Sequence, residues 1–342
     1  MNTNLTTLHS ALPRYTPLIT TLWLISFSCN VAALLTPFLR INLALSPTRI
    51  YSLPHTVQLM WEAKLYLVAA LIVGFSIIFP FIKLALIAIT WLHITSPHKR
   101  QKTIAILETL GKWSMLDIFI VCILLVLTTN QVVISSAIRF GVYLFLIAIT
   151  LSMITSLIIQ TISRPIDTPN RKRNDTSPVC IATKSSKLSF LYASLWLLAL
   201  IALLTAIGFP YFRIQGFFFN QHAYSIFRTT TTLFKAGAPI FAAFLFLVLI
   251  ITPFLHLIFN LLLYLGDLTP KRRHLLHLIT HALTSWSMLD VFALALLIFL
   301  LEGHSLIKTA IRPGLILLVI AVILLTIISH LLASLQSKHT KI

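Results

Sequence analysis

The chain has 342 residues, of which 58% are hydrophobic and only 10% are charged, and its mean hydropathy is +0.95. A soluble domain cannot bury so much apolar surface, so the composition predicts a polytopic membrane protein. The net charge of +18 would suggest a nucleic-acid partner for a soluble protein. Here the basic residues cluster between apolar segments, so we attribute them to membrane topology and anionic head groups and expect no nucleic-acid partner.

The first half of the chain contains four apolar segments, at about residues 17–37, 64–93 and 114–128 and, after a turn at 129–131, a fourth that continues to about residue 161. About 20 apolar residues are needed to cross the hydrocarbon core as a helix. After the first segment, polar and apolar residues alternate from Arg40 to Tyr51, which predicts a short β-hairpin with a turn at Ser46-Pro47. Pro80, in the middle of the second segment, predicts a helix kink. A basic connector at 97–102 and a small interfacial helix at 103–111 precede the third segment.

The second half repeats this plan after a polar, Pro-containing linker at residues 163–187. Its apolar segments lie at about 188–209, 236–265, 287–301 and 306–332, and Pro253 takes the place of Pro80. Residues 212–216 and 224–227 correspond to the hairpin, and Lys271-Arg272-Arg273 to the basic connector. We therefore predict a first membrane domain at 1–162, a linker at 163–187 and a second membrane domain at 188–342.

A repeated heptapeptide fixes the register of the two copies. Trp113-Ser114-Met115-Leu116-Asp117-Ile118-Phe119 returns 173 residues later as Trp286-Ser287-Met288-Leu289-Asp290-Val291-Phe292. Other landmarks keep the same offset: Trp23 with Trp196, Pro37 with Pro210, Arg139 with Arg312, and Gly141 with Gly314. Such self-similarity indicates an internal duplication. The predicted fold is an all-α membrane protein with eight transmembrane helices, arranged as two four-helix repeats that each carry a small periplasmic hairpin.

Lys and Arg counts predict the orientation. With the N-terminus in the cytoplasm, the inner segments contain 16 of these residues and the outer segments nine. Cytoplasmic segments carry the excess of positive charge in membrane proteins, so both termini are expected in the cytoplasm. An even number of spans in each copy also makes the two repeats parallel rather than inverted.

Two interpretations of the heptapeptide remain open. Its Ser-x-x-Asp pattern, at Ser114/Asp117 and Ser287/Asp290, is typical of a helix N-terminal cap. Capping gives no reason for the Trp and Met residues that both copies share, namely Trp113, Met115, Trp286 and Met288. Because ionisable residues just inside a membrane are costly, a functional role for the two aspartates is the alternative.

Lys83 is the other anomaly, because it lies within the apolar second segment of the first copy. It could extend its ammonium to the cytoplasmic interface, as long basic side chains often do. Alternatively, it could be buried and paired with Asp117, in a polar cluster with Ser76, Ser114 and Ser152, and exchange a proton during transport. The second copy has Leu249 and His256 at the positions of Ser76 and Lys83.

The sequence gives little support for a metal, a cofactor or an enzyme. Three histidines, His274, His277 and His281, share one face of the second connector helix, but the first copy has Gln101, Ile104 and Glu108 there. We therefore favour a face directed to lipid head groups over a zinc site. The three cysteines are far apart, without CxxC spacing. No nucleotide loop or catalytic triad motif is present, so we expect a non-enzymatic protein without a cofactor.

The two Trp-Ser-Met-Leu-Asp-(Ile/Val)-Phe motifs, each following a span with a Pro in its middle, resemble those of the paraquat-inducible protein A family of bacterial inner-membrane proteins. The resemblance covers nearly the whole chain. It implies a role in envelope lipid transport, with membrane lipids and a periplasmic mammalian-cell-entry (MCE) protein as partners. The motif residues, together with Ser76 and Lys83, match the family's intramembrane cluster. Family members often carry CxxC zinc ribbons, which this chain lacks. A proton-coupled small-solute transporter and a passive scaffold remain the alternatives.

Overall fold

The computed structural model of the chain describes residues 7–43, 46–62, 64, 66–113, 115–129, 134–167, 186–215, 221–266, 270–303 and 309–339. The chain divides into two compact units, Met1–Arg171 and Lys172–Ile342, called unit 1 and unit 2 below. The predicted linker, residues 163–187, is partly helical, because the last helix of unit 1 reaches Asp167 and the first helix of unit 2 begins at Ser186. The rest of the predicted linker lies outside the described residues.

Unit 1 alternates membrane-length helices with short elements at their ends. The helices are α1 (Leu8–Ala11), α2 (Thr16–Leu35), α3 (Leu53–Glu62), α4 (Tyr66–Ile72), α5 (Phe79–Leu92), α6 (Pro97–Trp113), α7 (Leu116–Thr129) and α8 (Phe140–Asp167). The strands are β1 (Leu39–Leu43), β2 (Ser46–Tyr51) and β3 (Ile134–Ile138). A π-helical segment, Val73–Ile78, joins α4 to α5. The connector helix α6 is longer than the small helix that the sequence predicted at 103–111.

Unit 2 repeats this order. Its helices are α9 (Ser186–Gly208), α10 (Ile226–Lys235), α11 (Pro239–Phe246), α12 (Thr252–Leu265), α13 (Pro270–Trp286), α14 (Leu289–Gly303) and α15 (Pro313–His339). Its strands are β4 (Phe212–Gln215), β5 (Gln221–Tyr224) and β6 (Thr309–Ile311). A second π-helical segment, Leu247–Ile251, joins α11 to α12.

Seven helices in the described part of the chain are long and apolar enough to cross a membrane. They are Pro13–Leu35, Val73–Leu92, Phe140–Ser163, Phe190–Gly208, Pro239–Leu265, Leu275–Leu300 and Pro313–Leu332. The sequence predicted eight spans. The difference lies in unit 1: the corresponding span of unit 2, Leu275–Leu300, includes part of α13 as well as α14, whereas α7 alone has 14 residues. At 1.5 Å per residue it is about 21 Å long, less than the roughly 30 Å of hydrocarbon core.

Each unit contains a three-stranded antiparallel sheet where the sequence predicted a two-stranded hairpin. The strand orders are β2-β1-β3 and β5-β4-β6, so a strand that precedes the last helix of the unit pairs with the first hairpin strand. The predicted turn at Ser46-Pro47 is wrong, because both residues belong to β2. The predicted strand at 224–227 is also wrong beyond Tyr224, since α10 begins at Ile226.

The two prolines that predicted kinks both follow a π-helical segment. Pro80 and Pro253 are each the second residue of the α-helix that begins directly after it. A proline has no N–H and its ring collides with the carbonyl four residues earlier, which is one reason helices depart from regular α geometry near it. The departure is the same in both units, at equivalent positions.

The same contacts hold the helices together in both units. The indole N–H of Trp23 donates to the carbonyl of Leu84 at 2.8 Å, and that of Trp196 donates to the carbonyl of Leu257 at 2.9 Å. These bonds join the first helix of each unit to the helix that follows the π-helical segment. Both residue pairs are related by the 173-residue offset, so the duplication in the sequence is also one of tertiary contacts.

Candidate functional site in the membrane helices

Lys83 lies in the interior of unit 1. It follows Pro80 by one helical turn on the face of α5 that is buried, and α5 packs against α2, α6 and α8. The side chain is only 1% exposed. Its ammonium nitrogen is itself buried and makes no hydrogen bond with any group in the described residues. Lys83 therefore does not extend to the surface of unit 1, as the interfacial alternative would require.

A glycine on the neighbouring helix makes room for this ammonium. A Cβ atom added at Gly111, on α6, would lie 3.3 Å from Lys83 Nζ and 3.8 Å from Cγ of Met153 on α8. Any side chain larger than hydrogen at residue 111 would therefore press on the lysine. Three helices, α5, α6 and α8, meet around the charged end of Lys83.

The other predicted members of the cluster are only partly described. Ser76, in the π-helical segment, and Ser152, on α8, are both buried in unit 1. The hydroxyl of Ser152 donates to the carbonyl of Ile149 at 2.8 Å. Ser114 lies outside the described residues, and Asp117 is the second residue of α7 with a side chain outside them. The Lys83–Asp117 pair therefore stays a prediction.

Several buried polar residues of unit 1 were missed by the sequence reasoning, among them two on the first long helix. Ser26 and Asn30 lie on α2, and Ser26 donates to the carbonyl of Ala148 on α8 at 2.8 Å. The side-chain oxygen of Asn30 accepts no hydrogen bond within the described part of the chain. Comparing the two copies position by position would have found both, because the second copy has Ala199 and Leu203 there.

Unit 2 has a hydrogen-bonded histidine at the position of Lys83. His256 is buried, and its Nε2 lies 3.2 Å from Thr284 Oγ1 and 3.2 Å from Ser329 Oγ. Both hydroxyls also donate to carbonyls of their own helices, those of Thr280 and Leu325. Through these hydroxyls the Nε2 atom of His256 is linked to both α13 and α15.

The partner positions have changed together with this residue. Thr284 stands where unit 1 has Gly111, so the long lysine faces a glycine and the shorter histidine faces a threonine. Unit 1 thus contains a buried lysine beside a glycine, and unit 2 a buried histidine that is hydrogen-bonded to two hydroxyls. The two sites occupy the same place in the fold but offer different chemistry.

The heptapeptide forms the corner between the connector helix and the short helix after it. Its Met, Leu, Ile or Val, and Phe side chains are buried in both units: Met115, Leu116, Ile118 and Phe119, and Met288, Leu289, Val291 and Phe292. The backbone N–H of each Phe donates to the carbonyl of the Met. Trp113 ends α6 and stacks on Phe75 with ring centroids 5.9 Å apart. Packing at this corner explains the Met and the hydrophobic residues that capping left unexplained.

The polar residues of the second heptapeptide lie at the surface of the corner. Asp290 is the second residue of α14 and is exposed, while Ser287 is half-buried and precedes the helix by two residues. A carboxylate in the first turn suits the helix dipole. The position of Asp290 therefore fits the interpretation of the Ser-x-x-Asp pattern as a helix N-terminal cap.

The predicted histidine face is described in part. His277 and His281 are half-buried on α13, and the side chain of His274 lies outside the described residues. Among the residues that the structure describes, no group of three or more His, Cys, Asp or Glu side chains could hold a metal ion.

Comparison with known proteins gives a match at the level of family. The paraquat-inducible protein A family matches the chain twice, at residues 18–162 and 192–336. Searches of curated proteins and of solved structures find no match. The two regions span most of the chain and coincide with the duplication and its apolar helices. The chain therefore belongs to the paraquat-inducible protein A family, as a multi-pass membrane protein with two tandem copies of the family domain.

Proposed function

We propose that this protein is the bacterial inner-membrane component of an envelope lipid-transport system. In this proposal it passes lipid to or from a conduit built by a periplasmic MCE-domain protein, and it acts as a transporter rather than an enzyme. Family membership supports the class of function. The observation that carries the assignment to this chain is the buried ammonium of Lys83, with no hydrogen-bond partner in the described residues and a glycine beside it.

A buried charge of this kind is unfavourable in a purely structural role. Removing an ammonium from water without a compensating partner costs several kcal/mol, so natural cores keep such groups where they serve a function. An anionic group that came within reach of Lys83 would be held by both charge and hydrogen bonding. The phosphate of a lipid head group has that chemistry. Lys83 would then bind the head group transiently, and Gly111 has no side chain to press on the ammonium.

The proposal includes eight membrane crossings, with both termini in the cytoplasm and the sheets on the periplasmic side. Support for the eighth comes from β3, which follows α7 and pairs with β1 along its full length, from Leu43↔Ile134 to Leu39↔Ile138. Because β1 follows α2, α7 must end on the side where α2 ends. The connector helix α6 begins after the opposite end of α5 and runs back along it, with Gly111 beside Lys83 and Trp113 stacked on Phe75, so α6 and α7 together support a third crossing of unit 1.

Proton-coupled transport of a small solute is the second candidate, and the same lysine supports it. An ammonium buried beside an acidic residue can lose and regain its proton as access to water changes. Asp117, the second residue of α7, is the acidic residue that this candidate pairs with Lys83. This candidate predicts that transport depends on a proton gradient and that no lipid accompanies the purified protein. A passive scaffold would require neither Lys83 nor Asp117.

The decisive experiment is purification of the full chain followed by identification of bound lipid. The protein is extracted in mild detergent, and co-purified lipid is quantified by mass spectrometry for the native chain and for Lys83→Met. The lipid proposal predicts a stoichiometric phospholipid that Lys83→Met loses while remaining monodisperse. Equal lipid in both preparations would contradict it. Absence of bound lipid, with uptake by proteoliposomes that collapses with the proton gradient, would favour the second candidate.

A further inference from the structure

The structure contains a short helix at the sheet end of each unit that the sequence reasoning did not predict. These are α3 and α10, which follow the hairpin and precede the second long helix. In unit 2, α10 packs against α9 and α11, both of which belong to membrane-length helices. Ile226, Thr229 and Leu233 form its buried face, and Thr229 Oγ1 is hydrogen-bonded to Tyr211 OH. The helix is thus fixed to the end of the membrane bundle.

Both helices present a large aromatic side chain at the same exposed position. Phe234 on α10 is 66% exposed and Trp61 on α3 is 60% exposed, and they are related by the 173-residue offset. On α10, the exposed Phe227 lies on the same side as Phe234, since seven residues make two helical turns. Exposed aromatics on a helix at the end of a membrane bundle are typical of the membrane interface.

Next to the exposed aromatic residues, the two helices differ in the charge of their exposed surface. On α10 it carries Arg228 and Lys235, both exposed, about 10 Å apart along the helix. The equivalent residues of α3 are His55 and Glu62, and Glu62 accepts a hydrogen bond from Gln58 at 3.0 Å. Lys64 follows α3 and offsets the charge of Glu62. The α10 surface therefore carries two positive charges, whereas that of α3 is close to neutral.

We infer that α10 is an interfacial helix that binds acidic phospholipid head groups through Arg228 and Lys235, and that α3 lacks this preference. Cations placed beside aromatics that enter the acyl region stand at the depth of the lipid phosphates. The two charges are spaced widely enough to hold two head groups or one dianionic head group. This inference concerns the lipid at the surface of unit 2 and does not rest on the transport proposed above.

The test measures binding of dioleoyl phosphatidylglycerol to the full chain in neutral detergent by native mass spectrometry, with phosphatidylcholine as the zwitterionic comparison. Each basic residue near a membrane surface contributes about a fivefold preference for acidic lipid. Arg228→Gln/Lys235→Gln should therefore weaken phosphatidylglycerol binding by more than tenfold and leave phosphatidylcholine binding unchanged. Lys235→Gln alone should weaken it by about fivefold while keeping the Arg228 bond to the carbonyl of Ala223. Soluble glycerol phosphate should not compete, because it lacks acyl chains.

Two matched variants make the result specific to α10. Lys99→Gln/Lys102→Gln removes the same charge from an exposed part of α6 and should weaken phosphatidylglycerol binding by a clearly smaller factor than the α10 pair does. His55→Arg/Glu62→Lys places the α10 charges on α3 and should strengthen binding. An equal fall for the α6 and α10 pairs, which would indicate an effect of net charge alone, overturns the inference. Unchanged binding in the α10 pair, or effective competition by glycerol phosphate, overturns it as well.

Discussion

The two units share the arrangement of their backbones, but the buried side chains differ in polarity. Six positions that are buried in both units are polar in unit 1 and apolar in unit 2. The pairs are Ser26 and Ala199, Asn30 and Leu203, Ser76 and Leu249, Thr90 and Leu263, Ser152 and Leu325, and Thr155 and Ile328. Unit 2 demonstrates that these helices pack with an apolar core. The polar residues of unit 1 are therefore not required by the fold, which favours a functional reason for them.

At the ends of the helices away from the sheets, unit 2 has the polar residues and unit 1 the apolar ones. Unit 2 stacks Tyr192 on Tyr264 with centroids 4.0 Å apart, and Tyr192 donates to the carbonyl of Asn260 at 3.3 Å. Unit 1 has an apolar cluster there, made of Leu8, Ile19, Ile87, Trp91, Leu107 and Ile159. Polarity alone thus does not distinguish the units. What distinguishes unit 1 is a buried cation at the middle depth of the helices.

The largest expected effect concerns a contact that both units share. A Cβ at Gly314 would lie 2.5 Å from the carbonyl oxygens of Phe209 and Pro210, and one at Gly141 would lie 2.8 Å from that of Pro37. Gly314→Ala should destabilise the protein by about 3 kcal/mol, because only backbone surrounds the added methyl. Gly141→Ala should cost somewhat less, since a side chain, Thr36, forms part of its contact. Thermal unfolding in detergent measures both.

Gly208→Ala is the control for this pair. Nothing lies within 4 Å of a Cβ built there, at the C-terminal end of α9. Its unfolding temperature should match that of the native chain within the equivalent of about 0.5 kcal/mol. If Gly208→Ala were as destabilising as Gly314→Ala, the shared contact would not be the cause.

The next prediction is a change in the free energy of unfolding that has opposite signs in the two units. Lys83→Met removes a buried charge but keeps most of the side-chain volume, so unit 1 should become more stable by about 2 kcal/mol. His256→Leu removes the hydrogen bonds to Thr284 and Ser329 and should destabilise unit 2 by about 1 kcal/mol. Thermal unfolding of the two single variants measures the signs. Destabilisation by Lys83→Met would indicate a satisfied ion pair rather than an uncompensated charge.

A smaller effect should be equal in both units. Trp23→Phe and Trp196→Phe each remove an indole N–H that donates to a helix carbonyl. Each substitution should cost about 1 kcal/mol. The two losses should agree and, because the sites lie in different units, the double variant should show their sum. A difference of more than a factor of two would mean that the duplicated contacts are not energetically equivalent.

The smallest effect concerns the turn after the interfacial helix. Lys64 has φ of 61° and Gly237 has φ of 79°, and each donates its N–H to the carbonyl three residues earlier. A left-handed backbone suits glycine better than lysine. Lys64→Gly should stabilise unit 1 by about 0.5 kcal/mol, whereas Gly237→Ala should destabilise unit 2 by about 1 kcal/mol. The same unfolding assay reads both, and equal signs would contradict the conformational explanation.

Much of the fold followed from the sequence, because the features that specify it are local or repeated. The 173-residue offset and the apolar segments predicted the duplication. Pro80 and Pro253 predicted kinks, and each lies just after a π-helical segment that the sequence did not predict. The third strand was missed, since β3 pairs with β1 about 95 residues earlier and no local pattern reports such a partner. The interfacial helices were missed because their apolar faces run into the following membrane helices.

The candidate site was predictable in its centre but not in its surroundings. The sequence identified Lys83 as a basic residue within an apolar segment, and its burial agrees with the interpretation that the side chain stays inside unit 1. The role of Gly111 was invisible, because it depends on how closely α5 and α6 approach. The hydrogen bonds of His256 likewise depend on how α12 packs against α13 and α15. Such features depend on helix packing, which side-chain periodicity alone does not determine.

The most direct test of the account compares Lys83→Met with His256→Leu in a strain that lacks the native gene. Resistance of the envelope to detergent reports function, and the amount of monodisperse protein in the membrane reports folding. The account predicts that Lys83→Met is folded but gives no rescue, whereas His256→Leu is folded and rescues fully. Full rescue by Lys83→Met, with or without rescue by His256→Leu, would contradict the claim that the function resides in the buried cation of unit 1.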